Sequence, residues 1–407
     1  MKTIAIAGTF DTKGREFAYV KDLIESLGLG VFSIHAGVYD PLFKPDVSNT
    51  QVAAAAGADL ADIAKRHDRA LATKVMSEGM EKLIPELFKQ GKFDGILSFG
   101  GSGGTSLVTP AMRALPIGVP KLMVSTMASG NVSQYVGTSD ILMMPSIVDV
   151  SGLNSISTKI FSNAVFAMAG MVSHTYKPLG THKPLVAATM FGVTTPCITT
   201  AQKYLEAHGY EVLVFHATGT GGRTMESLIK GGFIKGVLDL TTTEWCDEIV
   251  GGVLNAGPDR CSAAPTHGIP LVISVGATDM VNFGPWETVP EKFRNRNLYR
   301  HNPTVTLMRT TSDECRQIGE KLAEKINLSE PGKTVLMLPL GGVSAIDAPG
   351  QPYYGPEEDK ALFDTLKAKV DTKKVQIIEM PENINDAAFA EAAARRLIEL
   401  MQNHPVH

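Results

Sequence analysis

Short runs rich in β-branched residues alternate with longer amphipathic stretches almost from end to end, and this rhythm restricts the chain to α/β architecture with mostly parallel sheets. Extended runs are expected at 3–7, 30–35, 95–99 and 121–125, then at 185–191, 211–215, 236–240, 270–275, 334–338 and 375–379. Between them, Phe17, Val20, Leu23, Ile24 and Leu27 make one helical stripe and Met80, Leu83, Ile84 and Leu87 another, each suited to covering a sheet face. A closing helix is expected at about 387–401. The two series also repeat one another. Residues 88–97 align without a gap on 229–238, and 31–36 on 212–217. Gly118-Val119-Pro120 answers Gly268-Ile269-Pro270, and Gly8 answers Gly192. Matches in one order point to internal duplication. Two Rossmann-like subdomains are therefore expected, 1–180 and 181–407, with a connecting helix at 151–176 and a linker at 177–184.

Composition narrows the partners. The 407 residues carry 38 Lys+Arg against 42 Asp+Glu, a net charge of −4, with no run of five like charges. That leaves neither an electrostatic footprint for nucleic acid nor a polybasic membrane patch, so a small molecule is the expected ligand. Cys197, Cys246, Cys261 and Cys315 form neither a CxxC pair nor a disulfide framework and read as free thiols. No apolar run approaches the roughly 18 residues of a membrane span. The first apolar stretch is too short for a signal peptide and runs straight into Asp11 and Lys13, so a cytoplasmic location is expected.

In an open parallel sheet, ligands bind where strands end, and the strand-end loops here are distinctive. After the third strand comes Gly100-Gly101-Ser102-Gly103-Gly104-Thr105, leading into a helix. Glycines let backbone N–H groups approach an anion, and the helix adds its positive end, so the loop has the makings of a phosphate cradle. The alternative is a tight turn that packs helix on strand. The loop is not a Walker A motif. It has some likeness to the GGDGT loop of phosphofructokinases and NAD kinases, with Ser102 in place of the acidic residue. After the first strand, Gly8, Thr9, Asp11, Thr12 and Lys13 combine hydroxyls, a carboxylate and an ammonium. Lys13 suits a phosphate and Asp11 suits Mg²⁺, directly or through water; alternatively Asp11 and Thr12 cap the next helix. Ser125, Thr126 and Asn131 follow the fourth strand. In the second half, Thr218, Gly221, Gly222 and Arg223, with Asp259 and Arg260, mark a second candidate site, for a small acidic metabolite. Structural salt bridges use the same residue types. His35 and His216 end equivalent strands and read as packed, hydrogen-bonded histidines, and Cys197 as a core thiol.

Taken in order, the segments 8–13, 98–105, 215–223 and 276–284 resemble the UPF0261 family, the Tm-1-like ATP-binding proteins, which in plants are joined to a further barrel domain. The resemblance implies two Rossmann-like subdomains, binding of ATP with Mg²⁺, and a homodimer. It implies that any TIM barrel is a separate polypeptide, a partner protein. It places ATP phosphates on 100–105, with 8–13 and 125–131 around them. Two functions stay open: nucleotide binding with low turnover, and a metabolic enzyme using ATP or another phosphorylated ligand on a small acidic substrate held between the subdomains. The residues name no nucleophile or general base.

Overall fold

A computed structural model describes residues 1–174 and 183–406. The chain divides into two units, Met1–Leu179 and Gly180–His407. The first unit runs β1 (Thr3–Gly8), α1 (Gly14–Ser26), β2 (Gly30–His35), α2 (Asn49–Ala55), α3 (Leu60–Arg66), α4 (Arg69–Lys89), β3 (Gly95–Gly100), α5 (Ser102–Ala114), β4 (Lys121–Ser125), α6 (Ser133–Val136), β5 (Leu142–Pro145) and α7 (Ser155–Ser173). Its five strands are all parallel, in the order β2-β1-β3-β4-β5. This is one of the two common doubly wound orders, and it reverses between β1 and β3. Both faces are covered, which is why the strands read as continuous apolar runs. Ala5, Ala7, Ile96 and Met123 pack under α2 to α5, while Ile4, Ile6, Leu97 and Leu122 pack under α1 and α7.

The second unit runs β6 (Leu185–Met190), α8 (Thr195–Ala207), β7 (Glu211–His216), α9 (Thr220–Lys230), β8 (Gly236–Thr241), α10 (Glu244–Val250), α11 (Ala263–Thr266), β9 (Leu271–Gly276), β10 (Met280–Phe283), β11 (Leu298–Asn302), β12 (Val305–Arg309), α12 (Ser312–Ile326), β13 (Thr334–Pro339), α13 (Pro356–Lys369), β14 (Val375–Met380) and α14 (Ala387–Asn403). Six parallel strands lie in the order β14-β13-β9-β8-β6-β7. One face is packed by α8 and α14, the other by α9 to α13.

Read from β7, this sheet repeats the first and adds one strand. The register repeats too: Ile4 faces Gly95 as Val186 faces Gly236, and Ile96 faces Lys121 as Val237 faces Leu271. The match of Gly8 with Gly192 needs correction. Gly8 faces His35, and the equivalent His216 faces Met190, so the counterpart of Gly8 is Met190.

Two features escape the sequence pattern. Strand β5 is an edge strand with half-exposed residues that ends in proline, so it lacks β-branched alternation. The antiparallel group β10-β12-β11 sits outside the repeating rhythm altogether. The expected connecting helix is α7, whose Phe161, Val165 and Met168 pack onto the first sheet. The linker expected at 177–184 lies outside the described residues except for Lys183 and Pro184.

Candidate functional site at the strand crossover

At the point where the strand order reverses, the carboxyl ends of β1 and β3 open a cleft of about 620 Å³. Gly8, Thr9, Asp11, Thr12 and Lys13 form one wall and Gly100 to Gly104 the other. The first-turn amides of α5 face no capping side chain, because its N-cap is Gly101. Helix α1 is likewise uncapped, with Lys13 at its N-cap, so Asp11 and Thr12 do not cap it. Two uncapped helix starts thus meet at one sheet edge, which is the electrostatic setting for an anion.

The space around the glycines shows whether packing requires them, as a tight turn would. None of Gly100, Gly101, Gly103 and Gly104 has positive φ. A Cβ on Gly101 would come no closer than 3.7 Å to any neighbour, and one on Gly104 no closer than 3.6 Å. On Gly103 it would meet only the tip of Arg69, at 3.1 Å. Of the four, only Gly100 is crowded, where a Cβ would lie 3.0 Å from Gly104 Cα. The fold therefore does not require three of the four glycines, and their lack of side chains serves the open cleft.

Arg69 was missed by sequence reasoning. It opens α4, just after His67, which turns the chain at the α3–α4 corner in the left-handed conformation (φ 50°). Neither Arg69 nor Lys13 forms an ion pair among the described residues, so two uncommitted cations line the cleft. The only sequence signal was an N-cap aspartate, Asp68, followed by a basic residue. Farther in, Ile63, Ala72, Met76, Leu107 and Val108 form an apolar wall.

Buried polar groups hold the loops in place. His35 is fully buried; its Nδ1 accepts from the Phe10 N–H at 3.1 Å and the Gly37 N–H at 3.3 Å, and its Nε2 lies 2.9 Å from the Tyr39 carbonyl. This ring ties the loop after β1 to the loop after β2. Asp11 does the same, accepting from the Thr12 N–H at 2.8 Å and the Tyr39 N–H at 3.1 Å. A Cβ on Gly37 would fall 2.3 Å from its carboxylate, so a side chain there would displace Asp11 from the Tyr39 N–H. Thr105 lies beneath the cradle, where its hydroxyl donates to the Gly101 carbonyl at 2.8 Å and sits 2.6 Å from Ser125 Oγ. Thr105 and Ser125 are thus supports, fully buried. Thr126 and Asn131 do not line the cleft; Asn131 accepts from the Ser133 N–H at 3.0 Å.

The residues expected to form a second site behave differently. Gly219 and Gly222 donate to Glu244 Oε1 at 2.7 and 3.1 Å, so the anion on this glycine loop is a carboxylate of the protein itself. Here the glycines are required: a Cβ on Gly221 would lie 1.8 Å from the His216 carbonyl oxygen, and one on Gly222 2.3 Å from Glu244. Arg260, 1% exposed, is saturated by Glu244 Oε2 at 2.6 Å and the two oxygens of Asp239 at 2.5 and 2.7 Å. Burial opposes its charge, but Asp239 and Glu244 more than reverse that and hold it above its ordinary range. Arg260 is therefore a structural hub closed to an acidic substrate, while Asp259 is exposed and Arg223 donates to the Asn255 carbonyl at 3.0 Å. Thr218 folds back to the His216 carbonyl at 3.4 Å. At the crossover of the second sheet, Thr194 and Thr241 are fully buried and their hydroxyls meet at 2.8 Å. Cys197 is fully buried, and burial pushes its thiol up, which removes it as a nucleophile.

The fold and cleft thus define a doubly wound α/β protein with an open cleft at the strand crossover of its first unit. Residues 2–177 match the N-terminal domain of the Uncharacterised protein family (UPF0261) and residues 183–401 its C-terminal domain, and the chain belongs to that family. A UPF0261 protein of Clostridium tetani is 56% identical over 98% of this chain and 99% of its own length. One from Rhizobium meliloti is 45% identical over 97% and 98%. The tomato ToMV resistance protein Tm-1(GCR237) is 46% identical over 82% of this chain, which spans 45% of the tomato protein. Among solved structures, the likeness to a putative UDP-N-acetylglucosamine 2-epimerase from Listeria monocytogenes is loose, at 12% identity and a TM-score of 0.23 over 99% of this chain and 96% of that one, and the fold assignment stands on the strand order itself.

Proposed function

We propose that the first unit binds ATP with Mg²⁺, its phosphates on the first turn of α5. The observation that carries this reading is the trio Gly101, Gly103 and Gly104, glycines that neither backbone conformation nor packing demands. Lys13 and Arg69 supply charge for the phosphates, and the apolar wall of Ile63, Met76 and Leu107 suits a planar base. Asp11 suits the metal: each of its oxygens accepts one backbone N–H and keeps a lone pair, and Mg²⁺ in nucleotide sites is usually held by one or two carboxylates plus phosphates. The ion would neutralise phosphate charge. Among the described residues no group of three His, Cys, Asp or Glu forms a metal cage of its own.

Thermal unfolding with and without ATP·Mg²⁺ tests the reading. At about 100 times its dissociation constant the ligand stabilises the native state by roughly 2.7 kcal/mol. The expected result is a shift in wild type that shrinks in Lys13→Ala and Arg69→Ala, both of which fold normally. No shift in wild type rejects ATP.

A further inference from the structure

A second hollow of about 360 Å³ lies beside the cleft at the same sheet edge, where β4 and β5 end. Its floor is closed by committed hydroxyls: Ser125 faces Thr105, and Ser146 donates to the Val148 carbonyl at 2.7 Å. Its mouth carries uncommitted groups. The hydroxyls of Thr126 and Ser129 and the carboxylate of Asp149 have no hydrogen-bond or ion-pair partner among the described residues, and all three residues are exposed. Among the described residues, Asp149 alone lines both this hollow and the nucleotide-type cleft. Ile147, a β-branched residue at φ 65°, makes the turn that brings the chain from the edge strand β5 to Asp149.

We propose that this hollow is the subsite of a neutral hydroxylated acceptor, a small polyol or aldose, to which the γ-phosphoryl group of the nucleotide is transferred, with Asp149 as general base. The proposal rests on the nucleotide reading above. The lining sets the ligand class: hydroxyl donors and acceptors with one carboxylate and no Lys or Arg match alcohols and repel acids. The shared carboxylate sets the chemistry. Asp149 borders both the hollow and the phosphate-type cleft, so it can reach the hydroxyl of an acceptor placed at their junction. The hydroxyl oxygen forms a bond to the γ-phosphorus as the bond from that phosphorus to the β–γ bridging oxygen breaks. The hydroxyl proton passes to the Asp149 carboxylate, and the nucleoside diphosphate leaves with the bridging electron pair. This acceptor differs from the acidic substrate that the second unit's arginines suggested from sequence.

Saturation-transfer NMR on the full chain, with glycerol, erythritol, ribose and glucose as probes, reads the subsite with and without ATP·Mg²⁺. ADP release in the same mixtures reads the transfer. The expected result is transfer to at least one probe in wild type, lost in Ser129→Phe, which fills the hollow but keeps the ATP-induced thermal shift. Asp149→Asn should still bind the probe but release ADP about 10²–10⁴-fold more slowly. Absence of transfer to every probe in a wild type that does show the ATP·Mg²⁺ thermal shift, or transfer unchanged in Ser129→Phe, overturns the subsite. Probe-dependent ADP release unchanged in Asp149→Asn overturns the role of the carboxylate. A wild type that binds a probe but shows no thermal shift with ATP·Mg²⁺ rejects the nucleotide and upholds the subsite.

Discussion

Substituting Gly103 by alanine should move stability and ligand binding in opposite directions. Gly103 is the second residue of α5 and has no positive φ, and the added Cβ would meet nothing except the end of the Arg69 guanidinium, 3.1 Å away. A flexible exposed side chain yields at little cost, and alanine restricts the unfolded chain, so the ligand-free protein should be unchanged or more stable by up to about 1 kcal/mol. The methyl group nevertheless stands where a phosphate oxygen would approach the α5 amides, and it pushes aside one of the two cations. A tenfold loss of affinity is about 1.4 kcal/mol. At a ligand concentration that stabilises wild type by roughly 2.7 kcal/mol, the variant would gain only about 1.4 kcal/mol. For a unit of this size each kcal/mol corresponds to roughly 2–4 °C, so differential scanning fluorimetry resolves the difference. The control is Gly221→Ala, whose Cβ would lie 1.8 Å from a backbone oxygen and should unfold the second unit. A Gly103→Ala protein less stable than wild type by more than about 1 kcal/mol would return the loop to a packing role. An undiminished ligand shift would remove the phosphates from α5.

Two further predictions concern the second unit. Arg260→Met leaves Asp239 and Glu244 buried without their counter-charge and should lower stability by about 3–5 kcal/mol in urea unfolding, while a neutral result would mean that the carboxylates take up protons at no cost. Burial pushes the Asp279 carboxyl up to about 7 from an ordinary 3.8, with Arg309 opposing the shift. Its stabilising contribution is therefore complete below about pH 4 and is lost as pH rises through about 7, at up to roughly 1.4 kcal/mol per pH unit. Asp279→Asn removes that dependence, so its stability should gain on wild type steadily from pH 4 to pH 7; parallel curves would refute the assignment.

The sequence alone determined the α/β class, both parallel sheets, most strand positions and the two strand-end loops of the cleft, because these depend on local periodicity and on glycine clusters that sequence displays directly. It also carried the duplication, since strands must keep register to bury both faces, and the equivalent pairings of Gly95 and Gly236 preserve it. Tertiary structure alone decided which glycine loop packs against its own protein and which borders open space. Gly103 and Gly221 look alike in sequence, but one borders open space and the other a carbonyl oxygen. It likewise turned Arg260 inward onto Glu244 and Asp239 and left Arg69, more than thirty residues from the glycine loop in sequence, lying over Gly103. A residue's chemistry is written in its side chain, but whether that side chain meets solvent, ligand or its own protein is set by elements distant along the chain, and only their packing decides it.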